Sequence, residues 1–414
     1  MAETQKTTGT RYALPPAIAA FAGEINDIDT HDVVPIASWT EEFSPLMAPL
    51  RDACLAISAQ HLGEDVGTPG HIAPPPVDDA SIDVHNVWHL KMEKAPGGIN
   101  LKKRIEVADF VGVKRQIMFP GAGPVFSQAL LNKADDPTVF KNITGDRRGL
   151  AIKLIDACND WVARVSRQQD RVRPTALLIG DTPDELYTRL KKLVDAGVRQ
   201  IMLSPDTPPG GLSPADTALD KVWALAAEAN CPILTHISIS ENFLKTMVWR
   251  EAAAFKGWML GDEFSCDPWT MSNSHIAVQN FVMTMVMGGV FERHPKLRFG
   301  CGEFTAHWIG PLADNMDRWD ANIPFKHDRG AKTLSMKPSE YLRRNVRVSP
   351  FDFEPVGQYI DHFGIEEVYC YASDFPHHEG GKDPIGRFVK SLEGHSQDTL
   401  RKFFVENGKV LLPD

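Results

Sequence analysis

The chain has 414 residues, 43% hydrophobic and 24% charged, a balance that excludes a disordered chain and supplies enough apolar surface for a sizeable core. Its 44 basic and 54 acidic residues give a formal net charge of −10 with no basic block, which argues against nucleic acid or an anionic membrane surface as partner. The six cysteines are scattered without a Cys-x-x-Cys pair and Met1 to Pro16 is polar, so neither a disulfide framework, a thiolate zinc site, an export signal nor a membrane span is expected, and a reducing cytoplasm fits.

Short apolar or β-branched runs recur at intervals that leave room for a helix between them. The first strand is expected at Ile25 to Thr30, inside a first-strand region of residues 17–36. A long insertion follows over residues 38–105, whose Ser38 to Pro96 stretch is rich in proline and carries Trp39 and Trp88; it is expected to cover the mouth of the fold. Arg115 to Phe119 and Thr175 to Ile179 are the second and third strands. A helix is expected over Pro183 to Ala196, with Asp181 or Thr182 as cap and Gly197 as stop. Gln200 to Leu203 is the fourth strand, a helix over Ala215 to Ala229 comes next, and Ile233 to Thr235 is the fifth strand. Residues 237–295 form a second, helical insertion, with a helix over Glu241 to Met259 and a longer apolar one over Ile276 to Phe291, whose Met283, Met285 and Met287 suit adaptable packing. Leu297 to Cys301, Val346 to Ser349 and Val368 to Ala372 complete eight strands.

Eight strand and helix units close naturally into a single α/β domain, a (β/α)8 TIM barrel over residues 1–414 with long insertions after strands 1 and 5. A doubly wound sheet would carry a glycine-rich turn after its first strand, and Asp29-Thr30-His31-Asp32 has no glycine.

The chemistry-bearing residues lie at the ends of these strands, where a barrel keeps its active site. Asp29 and His31 stand at i and i+2, on one face of the first strand, in a chelating arrangement. Taken alone, such a pair is commonly part of a turn. His236 ends the fifth run, where a lone histidine would by default be a core residue hydrogen-bonded to backbone. Glu303 follows the sixth run as a candidate general acid or base, with His307 one helical turn on as a pocket residue. Asp374 follows the eighth run and is able both to bind a metal and to move a proton. His377 is expected to help it by hydrogen bonding, with His378 and Glu379 at the rim. Two imidazoles and two carboxylates (Asp29, His31, His236 and Asp374) suit one divalent ion, Zn²⁺ first, with Mn²⁺ or Fe²⁺ also accepted.

At these residues the chain resembles the amidohydrolase-2 family, the branch of the metal-dependent amidohydrolase superfamily that includes aminocarboxymuconate-semialdehyde decarboxylase and aromatic carboxylate decarboxylases. The resemblance rests on Asp29-Thr30-His31 with Pro35 beyond it, Gly112-Val113-Lys114-Arg115-Gln116, Thr235-His236-Ile237, Glu303 with Trp308, and most specifically on Gly289 to Phe299 and Ser373-Asp374-Phe375-Pro376-His377. It implies that Asp29 and His31 occupy the first-strand metal positions, His236 the fifth-strand histidine position and Asp374 the eighth-strand aspartate position. The chain departs from the family's commoner His-x-His at the first strand, and has Glu303 where many relatives carry a histidine.

The resemblance implies a lyase that removes carboxylate from a small aromatic or unsaturated acid. The alternative is a hydrolase of a C–N, C–O or C–S bond using metal-activated water whose proton passes to Asp374. Glu303 keeps that option open, since another carboxylate disfavours a substrate carboxylate nearby; Arg343, Arg344 and Arg347 could offset it, although they read more simply as a solvated basic face. A silent barrel serving as a binding subunit is the remaining reading, and all four putative ligand positions hold residues able to ligate. The expected partner is a small carboxylate or carbonyl compound, and the apolar second insertion suggests a homodimer or other homo-oligomer.

Overall fold

The structure is a computed structural model that describes residues 12–62, 77–237, 245–257, 267–322 and 334–413. The strands are short and buried along almost their whole length, as a parallel sheet wrapped in helices requires. β1 (Ile25–Asp27), β2 (Val113–Met118) and β3 (Val172–Pro174) pair in that order, all parallel. β4 (Ala176–Leu177), β5 (Ile201–Met202), β6 (Ile233–His236), β7 (Phe299–Gly302) and β8 (Val346–Val348) continue in parallel pairs.

Backbone hydrogen bonds join these two sets into one barrel. β3 and β4 are halves of a single stave: Thr175 N–H donates to Met118 O at 3.0 Å on one side, and Ala176 N–H to Gln200 O at 3.1 Å on the other. The eighth stave is the extended run after the 3-10 turn Glu366–Val368. Its Cys370 N–H donates to Val348 O at 3.1 Å, and its Tyr371 O accepts from Ile28 N–H at 3.1 Å. The eight staves are therefore those expected from the apolar runs.

Inside the barrel Ile28, Ile117, Leu177, Met202, Leu234 and Cys370 form one buried cluster, together with Leu411 and Leu412 of the C-terminal tail. That tail seals the end where the strands begin: Gln200 donates to Leu411 O at 2.9 Å and Asn26 to Val405 O at 2.8 Å. With one end plugged, the opposite, C-terminal end is left for chemistry.

The helix expected after the third stave runs Pro183–Asp195, with Thr182 accepting the Glu185 N–H and Gly197 at φ +90° beyond its end. The next is shorter than expected, Asp220–Glu228 after a 3-10 turn Thr217–Leu219, because Asp216 caps that turn separately. In the second insertion the expected Glu241 to Met259 helix is not a continuous one. Residues 238–244 and 258–266 lie outside the described residues, and between them stand 3-10 turns Lys245–Glu251 and Ala253–Phe255, broken by an extended Ala252. Val248 and Trp249 are exposed there, so among the described residues no buried apolar face stabilises an α-helix. The Ile276 to Phe291 helix is divided into His275–Met287 and Val290–Arg293 by Gly288 and Gly289, the latter at φ +72°. Met285 is fully buried and Met283 and Met287 pack against the core, which is the packing role expected of them. The five described cysteines are free and buried, and no described helix is long and apolar enough to cross a membrane.

The plug makes a direct prediction. Leu411 is 1% exposed inside the barrel cluster, so Leu411→Ala is expected to lower unfolding stability by about 2–5 kcal/mol, read as a lower urea midpoint at unchanged slope.

Candidate metal centre at the mouth of the barrel

Five staves, or the residues directly after them, bring polar side chains to one point. Asp29 and His31 project from the first stave, His236 ends β6, Glu303 follows β7, Ser349 follows β8, and Asp374 ends the eighth stave; Phe119 closes the second. His31 Nε2 is 3.3 Å from Asp29 Oδ1 and 3.2 Å from Asp374 Oδ1. His236 Nε2 is 3.6 Å from the same Asp29 oxygen and 3.3 Å from Glu303 Oε2. His377 Nδ1 approaches Asp374 Oδ1 at 3.5 Å, and its ring stacks on His31 with centroids 3.6 Å apart. Ligand atoms of Asp29, His31 and His236 all lie within 4.8 Å of one another, as do those of His31, Glu303, Asp374 and His377.

Local backbone geometry aims several of these groups. Glu303, Thr305 and Asp374 have φ of 61°, 59° and 52°, a left-handed conformation that costs a non-glycine residue free energy and persists where the surroundings impose it. Gly302 precedes Glu303, and a Cβ there would stand 2.8 Å from His236 Cδ2 and 2.8 Å from Phe119 Cε2. Only glycine leaves room for the imidazole, whose ring packs on Phe119 at 4.3 Å.

The electrostatics favour a cation. Asp29, His31 and His236 are each no more than 1% exposed, and buried carboxylates are costly unless paired. Burial by itself would raise the Asp29 carboxyl, yet the imidazoles of His236 and His31 hold it below the ordinary carboxylate range. Asp29 Oδ2 accepts the Ser349 hydroxyl at 2.8 Å, while buried Oδ1 takes no hydrogen bond. Imidazole nitrogens and carboxylate oxygens converging on such an atom are a donor set that fits one divalent ion.

The amidohydrolase-2 family model matches residues 142–413. The chain belongs to the amidohydrolase family. This amidohydrolase is thus a metal-dependent enzyme, and its barrel is shared with solved structures of low identity. An amidohydrolase from Mycobacterium avium subsp. paratuberculosis K-10 is 20% identical, with a TM-score of 0.61 over 94% of this chain and 99% of that one. A 2,6-dihydroxybenzoate decarboxylase from Rhizobium is 15% identical, with a TM-score of 0.55 over 94% and 98%. A 5-carboxyvanillate decarboxylase from Novosphingobium aromaticivorans DSM 12444, complexed with manganese and 4-hydroxy-3-methoxy-5-nitrobenzoic acid, is 15% identical, with a TM-score of 0.55 over 95% and 96%. At these identities the likeness shows the fold.

Not every residue singled out in the amidohydrolase's sequence reaches the centre. His307 is outside both ligand groups: it is exposed, its Nδ1 lies 2.7 Å from Thr305 Oγ1, and its ring meets His275 at 4.6 Å. Burial and the His307 imidazole push the His275 pKa down to about 4, and burial lowers that of His307. His378 is exposed, and Glu379 lines a cavity with Asp352 beside Asp29, Glu303 and Asp374. Of the arginines, Arg343 and Arg344 are exposed, whereas Arg347 is buried and donates to Arg343, Val346 and Asn407 carbonyls.

Ser349 escaped the sequence reading. Its hydroxyl accepts the Glu303 N–H at 3.0 Å and donates to Asp29, tying three staves together. Its position as the last residue of the seventh apolar run was the available signal. Ser349→Ala is expected to weaken Mn²⁺ binding by about tenfold, the usual effect of losing a partner that orients a ligand, with the melting temperature nearly unchanged; calorimetric titration with Mn²⁺ checks it.

Proposed function

We propose that this amidohydrolase is a lyase that removes carboxylate from a small aromatic or unsaturated acid, with one divalent ion held by Asp29, His31, His236 and Asp374. The observation that carries the reading is the buried Asp374 carboxylate, 3.2 Å from His31 Nε2 and backed by His377, at the mouth of a barrel shared with aromatic-acid decarboxylases. Zinc is the first choice of metal, and the manganese of a structural neighbour supports testing both. The ion supplies a Lewis acid that would hold the substrate carboxylate and an adjacent oxygen.

The protein's own groups perform the proton work. Protonated Asp374 gives its proton to the carbon that loses carboxylate, the C–C bond breaks, and CO2 departs. Water restores the Asp374 proton. His377, stacked on His31, orients Asp374, and Glu303, 3.3 Å from His236 Nε2, is the second candidate acid or base beside the ion. His307, with His275, stands on the rim that an entering substrate passes. Exposed Val248 and Trp249 on the second insertion support a homo-oligomer.

Glu303 also favours a second reading, hydrolysis of an amide, ester, lactone or thioacid, because this extra carboxylate 3.3 Å from His236 repels a substrate carboxylate but tolerates a neutral carbonyl. A screen of aromatic acids, esters and amides with paired detection of CO2 and hydrolysis products separates the two. CO2 release from an acid is expected, with Asp374→Asn losing at least about a hundredfold in kcat while remaining folded. Turnover of esters or amides with no CO2 from any acid would replace the lyase with the hydrolase. Full activity in Asp374→Asn would remove that residue from the mechanism.

A further inference from the structure

The loop that leaves Asp374 is gripped from outside the barrel. Four residues of the first insertion reach it, one of them from the helix Leu101–Val111 at the insertion's end. Met92 N–H donates to Pro376 O at 3.0 Å. Arg104, 1% exposed, donates to Phe375 O at 3.1 Å and lies over the Phe375 ring at 4.5 Å, while Trp88 meets the same ring edge-on at 6.4 Å. Lys91 Nζ donates to Gly380 O at 2.7 Å and to Gly381 O at 3.3 Å.

Lys91 differs from the other three. Its bonds fall at the far end of the loop, and its ammonium is half-buried in the field of Asp374, Asp352 and Glu379. The loop has no slack at that point. A Cβ on Gly380 would come within 2.7 Å of Asp374 O and 2.8 Å of Ser373 O, and one on Gly381 would overlap Asp352 Oδ2. Gly380 therefore rests directly on the backbone of Ser373 and Asp374, the latter in a strained left-handed conformation at φ 52°, while Gly381 rests on the Asp352 carboxylate. Whatever holds the turn down also holds Asp374 in that conformation.

We propose that Lys91 is a positioning residue for the metal centre: a cation supplied by the first insertion that pins the Gly380–Gly381 turn onto the Asp374 backbone and so sets the place of the Asp374 carboxylate. This rests on the reading of Asp374 as a metal ligand. The sign of the effect separates positioning from simple charge. Removing a cation beside a carboxylate-rich site strengthens binding of a divalent ion if Lys91 acts through its charge alone, whereas loosening a ligand weakens it.

The test uses the full-length protein stripped of metal and titrated with Mn²⁺, together with amide hydrogen exchange of the segment 373–383. Lys91→Met is expected to raise the Mn²⁺ Kd by about tenfold and to speed exchange in that segment, with Lys91→Arg restoring both. In an Asp374→Asn background Lys91→Met should add no further loss, the non-additivity of residues acting through one another. Unchanged or tighter Mn²⁺ binding with unchanged exchange overturns the proposal. If Asp374→Asn alone leaves the Mn²⁺ Kd unchanged, the ligand reading is what fails, and the exchange result then decides Lys91 by itself. Should Lys91→Met not fold, Lys91→Gln, which keeps an N–H donor without the charge, takes its place and is expected to give an intermediate loss.

Discussion

The 2.9 Å backbone hydrogen bond from Asp374 N–H to Asp29 O fastens the last stave to the first, and the site depends on that closure. Asp29 and Asp374 come from opposite ends of the chain, yet this bond sets their carboxylates on the two sides of His31. Parallel pairing puts every strand end on the same side, so each stave contributes to one mouth without any long-range coding beyond register. A slip of one residue would turn Asp29 and His31 away from the mouth together, because they share a face.

Closure also concentrates negative charge in a buried place. Asp29, Glu303 and Asp374 are each buried, with the imidazoles of His31 and His236 set among them. The low dielectric that makes such a cluster costly when unpaired also makes its attraction for a divalent cation strong. Ser349 and Gly302 are inexpensive means of keeping the cluster in order, one through two hydrogen bonds and the other through the absence of a Cβ. The strained φ values at Glu303 and Asp374 fall where function is expected to hold strain, at the ends of staves facing the mouth.

The two insertions divide differently. The first sends Lys91, Met92 and Trp88 onto the loop after Asp374, so it belongs to the mouth as its place in the sequence suggested. The second resisted reading along its length. Its Glu241 to Met259 stretch has helix-forming residues, but helicity in a protein comes mainly from burying an apolar face, and exposed Val248 and Trp249 have none to bury. His307 stands outside the ligand groups for a related reason: one helical turn after Glu303 is a helical spacing, and the chain after Glu303 is not yet a helix, since the helix begins at Ile309.

The sequence by itself determined the eight staves, because a buried strand between two helices is marked locally by a short run with apolar or β-branched residues in it. It also placed Asp29, His31, His236, Glu303 and Asp374 at the ends of those runs, because polarity that ends a buried strand is local information. Tertiary structure alone decided which of these meet. Ser349 is marked only by its place at the end of an apolar run, and Lys91 by nothing local, a serine after a strand and a lysine in a loop being ordinary. Their place at the site comes from which carbonyl, carboxylate or N–H stands within 3 Å once the barrel has closed, and that distance exists only after residues far apart in the chain are packed together.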